Sequence, residues 1–375
     1  MVKPRGPVCN LACDYCYYLP KTNLYPNSDF RMSHDLLANF TRQMLSAQPG
    51  SQVTFAWQGG EPTLMGLEFF QEAVRIQKEA APHGMQVSNV IQTNGLTLTP
   101  AWCRFFKEHD FLVGMSLDGP LGMHNTYRRN EAGVGSFTQA ARAVDLLKQH
   151  EVDFNILCCV HRANQAYPLD VYHFFRDVLE VNYLQFIPIL QRTLDSKGRE
   201  TEEISELSVQ STAYGHFLQT IFDEWVKKDV GRVFVQIFDI ALGAWLGAPP
   251  SLCVFAETCG RALVLEHNGD LYACDHFVNN EHLLGNITHH PLADMVNSKP
   301  QEEFGLNKKT SVSPTCLDCP VWFVCHGGCP KNRDVNGLNH LCSGYKIFFE
   351  HIKPAMEKMA DLIRHGQTPA EIMKV

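Results

Sequence analysis

The chain has 375 residues, of which 45% are hydrophobic and 10% aromatic, and this composition excludes a disordered polymer. Its formal net charge of −8 provides no positive field for a phosphate backbone, so we expect no nucleic-acid partner. The N-terminus MVKPRGPVCN lacks the apolar core of a signal peptide, and no apolar run is long enough to span a bilayer. We therefore expect a cytoplasmic protein without a membrane segment.

The 14 cysteines indicate metal binding rather than disulfides, because the cytosol keeps thiols reduced. Three of them, Cys103 in a predicted helix and Cys158 and Cys159 in an apolar strand, are expected to pack as small hydrophobic residues.

Short apolar segments alternate with helical patterns from Ser33 to Leu190, which is typical of a parallel sheet built from βα units. A weak first strand is predicted before Cys9. The other predicted strands are QVTFAW (52–57), MQVSNVIQ (85–92), FLVGMSL (111–117), VDFNILCCV (152–160) and YLQFIPI (183–189). Helices are predicted near 33–47, 67–81, 100–108, 136–149 and 168–179. Six strands without a repeat predict an α/β fold, a partial (β/α)6 TIM-like barrel.

The polar segment 191–208 is interpreted as a loop that leads into an amphipathic helix at 209–228. A domain boundary is predicted near 230, which gives a barrel domain at 1–230 and a smaller cysteine-rich domain at 231–375. In the latter, Asn268-Gly269 favours a β-hairpin with a two-residue type I′ turn, and the last 30 residues are mostly helical.

Cys9, Cys13 and Cys16 form a C-x₃-C-x₂-C loop after the first predicted strand. Three thiolates can hold three irons of a cubane cluster and leave the fourth iron open to a substrate or cofactor. The alternatives are a zinc loop or thiols without a common ligand.

This loop, with a tyrosine before its third cysteine, resembles the cluster loop of radical S-adenosylmethionine enzymes, and the resemblance covers about residues 1–230. It implies that the open iron binds the methionine part of S-adenosylmethionine. One electron then cleaves the sulfonium and gives a 5′-deoxyadenosyl radical.

Other segments of that family have counterparts after the predicted strands. The residues that the resemblance places around S-adenosylmethionine are Tyr15, Gly59, Gly60, Glu61, Gln92, Ser116, Asp118 and Arg128. For Asp118, a role in capping its own loop is an equal alternative. Since the active site of a βα barrel collects at the carboxyl ends of its strands, most of these residues are expected to converge there.

The second half supplies eight thiols, which suffice for two four-thiolate sites; two zinc sites would satisfy the same count. These residues are Cys253, Cys259, Cys274, Cys316, Cys319, Cys325, Cys329 and Cys342. The pattern is similar to the SPASM twin-cluster domain, and the full set of eight resembles the anaerobic sulfatase-maturating enzymes. The resemblance assigns Cys253, Cys259, Cys274 and Cys329 to one auxiliary cluster, and Cys316, Cys319, Cys325 and Cys342 to the other.

Asp275 directly follows Cys274, and the resemblance makes it the general base, whereas a lone aspartate is ordinarily a solvated or hydrogen-bonded side chain. It also implies that Tyr18, Gln58 and Leu190 line a peptide path, although such residues more often serve packing. The cofactors expected are three [4Fe-4S] clusters and S-adenosylmethionine.

The function so implied is anaerobic oxidation of a cysteine or serine in an unfolded sulfatase to Cα-formylglycine, with a flavodoxin- or ferredoxin-like electron donor. The adenosyl radical would remove a hydrogen from the substrate Cβ, Asp275 would take the thiol or hydroxyl proton, and an auxiliary cluster would accept the remaining electron. Two alternatives stay open: another peptide-modifying radical enzyme that makes a thioether, an epimer or a crosslink, and a non-catalytic electron-transfer or zinc-binding protein.

Overall fold

The structure is a computed structural model, and it describes residues 1–195, 200–260 and 262–374. Its strands are, in chain order, β1 Val2–Lys3, β2 Gln52–Trp57, β3 Gln86–Thr93, β4 Phe111–Ser116, β5 Phe154–Val160, β6 Tyr183–Pro188, β7 Arg192–Leu194, β8 Glu200–Ile204, β9 Phe234–Val235, β10 Val264–Glu266, β11 Asp270–Tyr272 and β12 Leu283–Asn286.

The α-helices are α1 His34–Ser46, α2 Leu67–Ala80, α3 Pro100–Glu108, α4 Leu121–Tyr127, α5 Phe137–Gln149, α6 Pro168–His173, α7 Ser211–Lys228, α8 Gln236–Trp245, α9 Leu292–Val296, α10 Lys299–Thr310, α11 Pro314–Leu317, α12 Trp322–Cys325 and α13 Cys342–Arg364. A short π-helix, Phe174–Val178, continues α6. None of the helices in the described part of the chain is both long and apolar enough to cross a membrane.

The described chain forms two compact units. The first contains Met1–Ser116, Arg128–Phe154 and Gly260–Leu306, and the second contains Leu117–Tyr127, Asn155–Cys259 and Asn307–Val375. Both units are therefore assembled from separate stretches of sequence. The boundary predicted near residue 230 stays a prediction.

The sheet of the first unit has the order β12-β11-β10-β1-β2-β3-β4. Its pairs from β10 to β4 are parallel, and β10, β11 and β12 pair antiparallel. The predicted hairpin is present, but its turn differs from the expected one. Val264 pairs with Tyr272 and Leu265 with Leu271, so three residues, 267–269, form the loop. Asn268 does not adopt the positive φ that a type I′ turn requires, and a three-residue hairpin loop results.

Aromatic side chains fill the helix-covered face of this sheet. Trp57 on β2 and Phe70 on α2 are fully buried with ring centroids 5.5 Å apart, and Phe70 lies 5.5 Å from Trp102 on α3. Each large ring removes some 150–250 Å² from water, so this layer contributes much of the hydrophobic stabilisation. The layer packs α2 and α3 against β2.

In the second unit, β5, β6 and β9 form a parallel set, and β7 and β8 form a separate antiparallel ladder. The ladder lies in the segment predicted to be a loop, of which residues 196–199 are outside the described chain. The long helix α13 packs against α7 and α8, with Phe348 between Phe222 and Phe238. The α/β class, the mostly parallel sheet and the C-terminal helices are confirmed.

Candidate active site

The three-cysteine loop follows β1 in the first unit. Cys9 Sγ accepts hydrogen bonds from Leu11 N at 3.3 Å and Asn94 Nδ2 at 3.6 Å, and the backbone of Cys16 bonds to that of Cys13. Burial, the nearby Glu61 carboxylate and the Cys16 thiol together raise the pKa of Cys9 to about 11. The loop therefore favours a thiolate only with a positive ligand, and bound iron supplies that charge.

The two glycines of QGGEP (58–62) make room for the N-terminal segment. A Cβ at Gly59 would meet Lys3 Cδ at 2.1 Å, and one at Gly60 would meet the Val8 carbonyl oxygen at 2.1 Å. Val8 directly precedes Cys9, and its carbonyl accepts a bond from Glu61 N at 2.9 Å. Gly60 and Glu61, which follow β2, thus contact the backbone of the residue that precedes the cysteine loop.

Glu61 is 1% exposed, and its carboxylate accepts four hydrogen bonds from the loops after β2 and β3. The donors are Thr63 N (3.0 Å), Thr63 Oγ1 (2.6 Å), Thr93 Oγ1 (2.7 Å) and Asn94 N (2.8 Å). Burial raises the pKa of Glu61 above its usual value, and the four donors oppose that rise. Glu61 therefore fixes the loop geometry, and its expected contact with the methionine amine stays a prediction.

Several of the other predicted site residues belong to the same unit as this loop. Gln58 Nε2 donates a hydrogen bond to Gln92 Oε1, and Ser116 is buried at the end of β4. The guanidinium of Arg128 lies 5.5 Å from the ring centroid of Tyr15, and both residues are buried. Tyr15 and Arg128 are thus adjacent, and the cofactor contacts expected of them stay predictions.

Asp275 is buried in the same unit as the three-cysteine loop. Its Oδ1 lies 2.6 Å from the ammonium of Lys3, and its Oδ2 accepts a hydrogen bond from the hydroxyl of Tyr17. Burial alone would raise the pKa of Asp275, but Lys3 above all, then His276 and Tyr17, hold it below its ordinary value. The carboxylate is thus anionic and fixed in position, and each oxygen keeps a second lone pair for a proton.

Lys3 and Tyr17 were not among the site residues predicted from the sequence. Lys3 is 2% exposed, and its ammonium lies 4.2 Å from the ring centroid of Tyr18. Tyr18 is itself buried and donates to Glu266, whereas its neighbour Tyr17 is 43% exposed. The partner that accompanies the burial of Lys3 is remote in sequence, so no local signal pointed to this lysine. The peptide role predicted for Tyr18 stays a prediction.

Asp118 and Leu190 belong to the second unit. Asp118 is fully buried; its Oδ1 accepts a bond from Cys159 N at 3.0 Å, and its Oδ2 lies 3.6 Å from His161 Nε2. These contacts tie the loop after β4 to β5, and the cofactor role and the loop-capping role of Asp118 both stay predictions. Leu190 is half-buried beyond the end of β6.

Four of the eight remaining predicted ligands line one small cavity of the second unit. Cys316, Cys319, Cys325 and Cys342 line this cavity together with Val321, Gly327 and Tyr345. Burial and the three other thiols raise the pKa of Cys325 to about 12. Four thiols that converge on one cavity and repel each other as anions are a suitable donor set for an iron–sulfur cluster.

Three of the other four ligands also belong to the second unit. Burial and the nearby thiols of Cys253 and Cys259 raise the pKa of Cys329 to about 11, whereas Lys308 opposes the rise. Cys274, the fourth, follows β11 in the first unit. Among the described residues, no three His, Cys, Asp or Glu side chains can together hold a single metal ion. A cubane makes a different demand, because each of its irons takes a separate thiolate.

The cysteines expected to serve packing are buried at Cys103 and Cys158 and half-buried at Cys159.

Comparisons with known proteins place this arrangement among characterised families. Residues 4–175 match the Radical SAM superfamily, and residues 253–320 match SPASM, an iron-sulfur cluster-binding domain. The chain is 45% identical over 390 residues to a serine-type anaerobic sulfatase-maturating enzyme of Bacteroides thetaiotaomicron, covering 100% of this chain and 94% of that protein. It is 32% identical to a cysteine-type anaerobic sulfatase-maturating enzyme of Clostridium perfringens, over 97% of this chain and 98% of the other.

Its fold is similar to the solved structure of native anSMEcpe with bound AdoMet and Cp18Cys peptide. The TM-score is 0.86 at 32% identity, and the match covers 96% of this chain and 98% of that one.

Proposed function

Because the chain belongs to the anaerobic sulfatase-maturating enzymes of the radical S-adenosylmethionine superfamily, we propose that it oxidises a cysteine or serine of an unfolded sulfatase to Cα-formylglycine. The observation that carries the proposal is the buried carboxylate of Asp275, which directly follows Cys274 and is held by Lys3 and Tyr17. A fixed anionic base beside an electron acceptor suits a reaction that removes a proton and an electron from one substrate side chain.

The cofactors proposed are S-adenosylmethionine and three [4Fe-4S] clusters. Cys9, Cys13 and Cys16 would hold the first cluster, and the eight later cysteines would hold the two auxiliary clusters in the partition implied by the family. When bound, these groups supply hydrogen-atom abstraction from the substrate Cβ and an acceptor for the electron that remains. We propose residues 1–230 as the radical S-adenosylmethionine core barrel and 231–375 as the SPASM-type auxiliary-cluster domain, which also supplies Asp275.

The chain's own residues bind, orient and move the proton. Tyr15, Gly59, Gly60, Glu61, Gln92, Ser116, Asp118 and Arg128 are proposed to hold S-adenosylmethionine, and Tyr18, Gln58 and Leu190 to guide the peptide. Asp275 takes the proton of the substrate hydroxyl or thiol. From serine, loss of this proton, one hydrogen atom and one electron leaves the aldehyde directly; from cysteine it leaves a thioaldehyde, which water hydrolyses to the aldehyde with release of sulfide.

The test uses reduced, cluster-reconstituted protein under anaerobic conditions, with S-adenosylmethionine and peptides carrying Ser-x-Pro-x-Arg or Cys-x-Pro-x-Arg. Mass spectrometry measures the aldehyde and 5′-deoxyadenosine. We expect both products, and the higher identity to a serine-type relative makes the serine peptide the first choice. Asp275→Asn should still form 5′-deoxyadenosine but little aldehyde.

Other results would identify the alternatives. 5′-Deoxyadenosine without aldehyde from either peptide would indicate another peptide modification by the same radical chemistry. Neither product, from protein shown to hold its clusters, would leave an electron-transfer role. A flavodoxin- or ferredoxin-like donor and a cytoplasmic location remain proposals, the latter because the many thiols need a reducing compartment.

A further inference from the structure

Lys308 is a buried cation of the second unit whose hydrogen-bond partners are all uncharged. It lies in the last turn of α10 and is 1% exposed. Its ammonium donates to the carbonyl oxygens of Cys253 at 2.6 Å and Val254 at 2.9 Å. Within the described chain, no carboxylate lies within ion-pair distance of Lys308.

Arg333 is a second buried cation in this unit, and it is 6% exposed. Its guanidinium donates to the carbonyl oxygens of Lys308 at 2.6 Å and Gly327 at 3.2 Å, and to Ser311 Oγ at 3.3 Å. Weaker contacts reach the carbonyls of His326 and Gly328. These acceptors are neutral, and none of the carboxylates in the described ranges pairs with Arg333.

A buried charge is costly unless an opposite charge compensates it, so two such cations in one unit require an anionic partner. The groups that can become anionic near them are the cysteines. Lys308 interacts electrostatically with Cys259, Cys329 and Cys253. Arg333 interacts with members of both proposed cysteine sets, namely Cys316, Cys329, Cys259 and Cys325.

We propose that Lys308 and Arg333 are the counter-cations of the two auxiliary cysteine sites and raise the reduction potentials of the clusters bound there. This inference rests on the cluster assignment of the proposed function. A cluster with four thiolate ligands carries net negative charge, and reduction adds one more. A fixed cation in a low-dielectric interior stabilises the reduced form more than the oxidised form, so its removal lowers the potential.

The two residues should differ in the number of clusters on which they act. Lys308 donates to the backbone of Cys253, a member of one set, whereas Arg333 donates to carbonyls of residues 326–328, which join Cys325 of one set to Cys329 of the other. Replacing Lys308 should therefore shift one auxiliary potential, and replacing Arg333 should shift two. The helix offers a matched control at the next position, because Lys309 is 54% exposed and already paired with Glu257 at 2.7 Å.

The experiment measures auxiliary potentials by anaerobic redox titration followed by electron paramagnetic resonance. The full chain carries Cys9→Ala, Cys13→Ala and Cys16→Ala, so that only the auxiliary sites load iron, and iron and sulfide are counted before each titration. We expect Lys308→Met to make the reduction of one auxiliary cluster about tenfold less favourable in its equilibrium constant. For one electron, this lowers the reduction potential by about 59 mV. Lys308→Arg and Lys309→Met should leave it nearly unchanged.

Each result has a defined meaning. Unchanged potentials in fully loaded Lys308→Met and Arg333→Met would overturn the inference. If Lys308→Met loses iron and Lys308→Arg regains it, the positive charge is required and the inference stands; equal loss in both variants would overturn it. If the parent chain loads fewer than two clusters, the proposed cofactor set fails before any variant is compared. The peptide assay tests formylglycine formation separately.

Discussion

Lys3 and Asp275 are 272 positions apart in sequence, yet the Lys3 ammonium lies 2.6 Å from Asp275 Oδ1 in a buried ion pair. The second residue of strand β1 thus orients the carboxylate proposed as the base. Removing one partner of a buried pair leaves the other charge uncompensated, which is strongly unfavourable.

Lys3→Met keeps much of the stem and removes the charge. We expect the yield of aldehyde per 5′-deoxyadenosine to fall by at least about tenfold, since a positioned base contributes about 10²- to 10⁴-fold. Peptide turnover and 5′-deoxyadenosine formation are measured in the same anaerobic reaction. If the ratio of the two products equals that of the unaltered enzyme, Lys3 has no part in the proton transfer.

Gly59→Ala tests whether Gly59 is needed to make room for the side chain of Lys3, because the new Cβ would overlap the aliphatic carbons of the lysine. We expect the product ratio to fall as in Lys3→Met. Gly84→Ala is the matched control, since Gly84 also has a positive φ, of 84°, but nothing lies within 4 Å of the position that a Cβ would take there.

A double-mutant cycle separates this effect from a direct contact between Gly59 and S-adenosylmethionine. In a Lys3→Ala background, Gly59→Ala should change the product ratio little further, because the group that it displaces is gone. Additive losses would assign Gly59 to the cofactor instead.

Glu61→Gln tests the four-donor carboxylate that joins the loops after β2 and β3. The glutamine amide must place an N–H group against a backbone or hydroxyl donor, which costs about 1–3 kcal/mol. We expect the thermal midpoint to fall by several degrees, measured by calorimetry on reconstituted protein. Glu72→Gln, in an exposed pair with Arg75, is the control and should leave the midpoint nearly unchanged. An unaltered midpoint in Glu61→Gln would argue that the network adds no stability.

Asp118→Asn distinguishes the two roles considered for this residue. If Asp118 ties its loop to Cys159 and His161, the substitution lowers the thermal midpoint, with a cost of about 1–3 kcal/mol, and leaves the affinity for S-adenosylmethionine within about threefold. Calorimetry and equilibrium dialysis under anaerobic conditions measure the two quantities. A large loss of affinity with an unchanged midpoint would instead show a direct cofactor contact.

Periodicity predicted the regular elements of the chain well, because their apolar residues repeat at the spacing of a strand or a helix. The predicted strand at 52–57 coincides with β2, and the predicted helix at 100–108 coincides with α3. The ladder of β7 and β8 was missed because its residues are mostly polar and make no apolar pattern.

Long-range placement was harder to predict. The pairing of β10 with β1 depends on strands more than 260 positions apart, and no local signal encodes it. Similarly, the spacing of the eight later cysteines gives their number but not their partition. The cavity that joins Cys316, Cys319, Cys325 and Cys342 became visible only in the folded chain. Lys3 was missed because burial of a lysine is decided by its partner Asp275, and not by its own neighbours in sequence.

Strand β1 lies between β2 and β10, with Val2 paired to both Trp57 and Leu265. Strand β1 therefore cannot complete its pairing until residue 265 has been made, a delay on the order of tens of seconds at typical synthesis rates. During that interval, the three-cysteine loop follows a strand that lacks one of its two neighbours, and Asp275, the partner of Lys3, has not been synthesised. The sheet around the three-cysteine loop and the Lys3–Asp275 ion pair are therefore completed late in synthesis, when most of the polypeptide has already emerged.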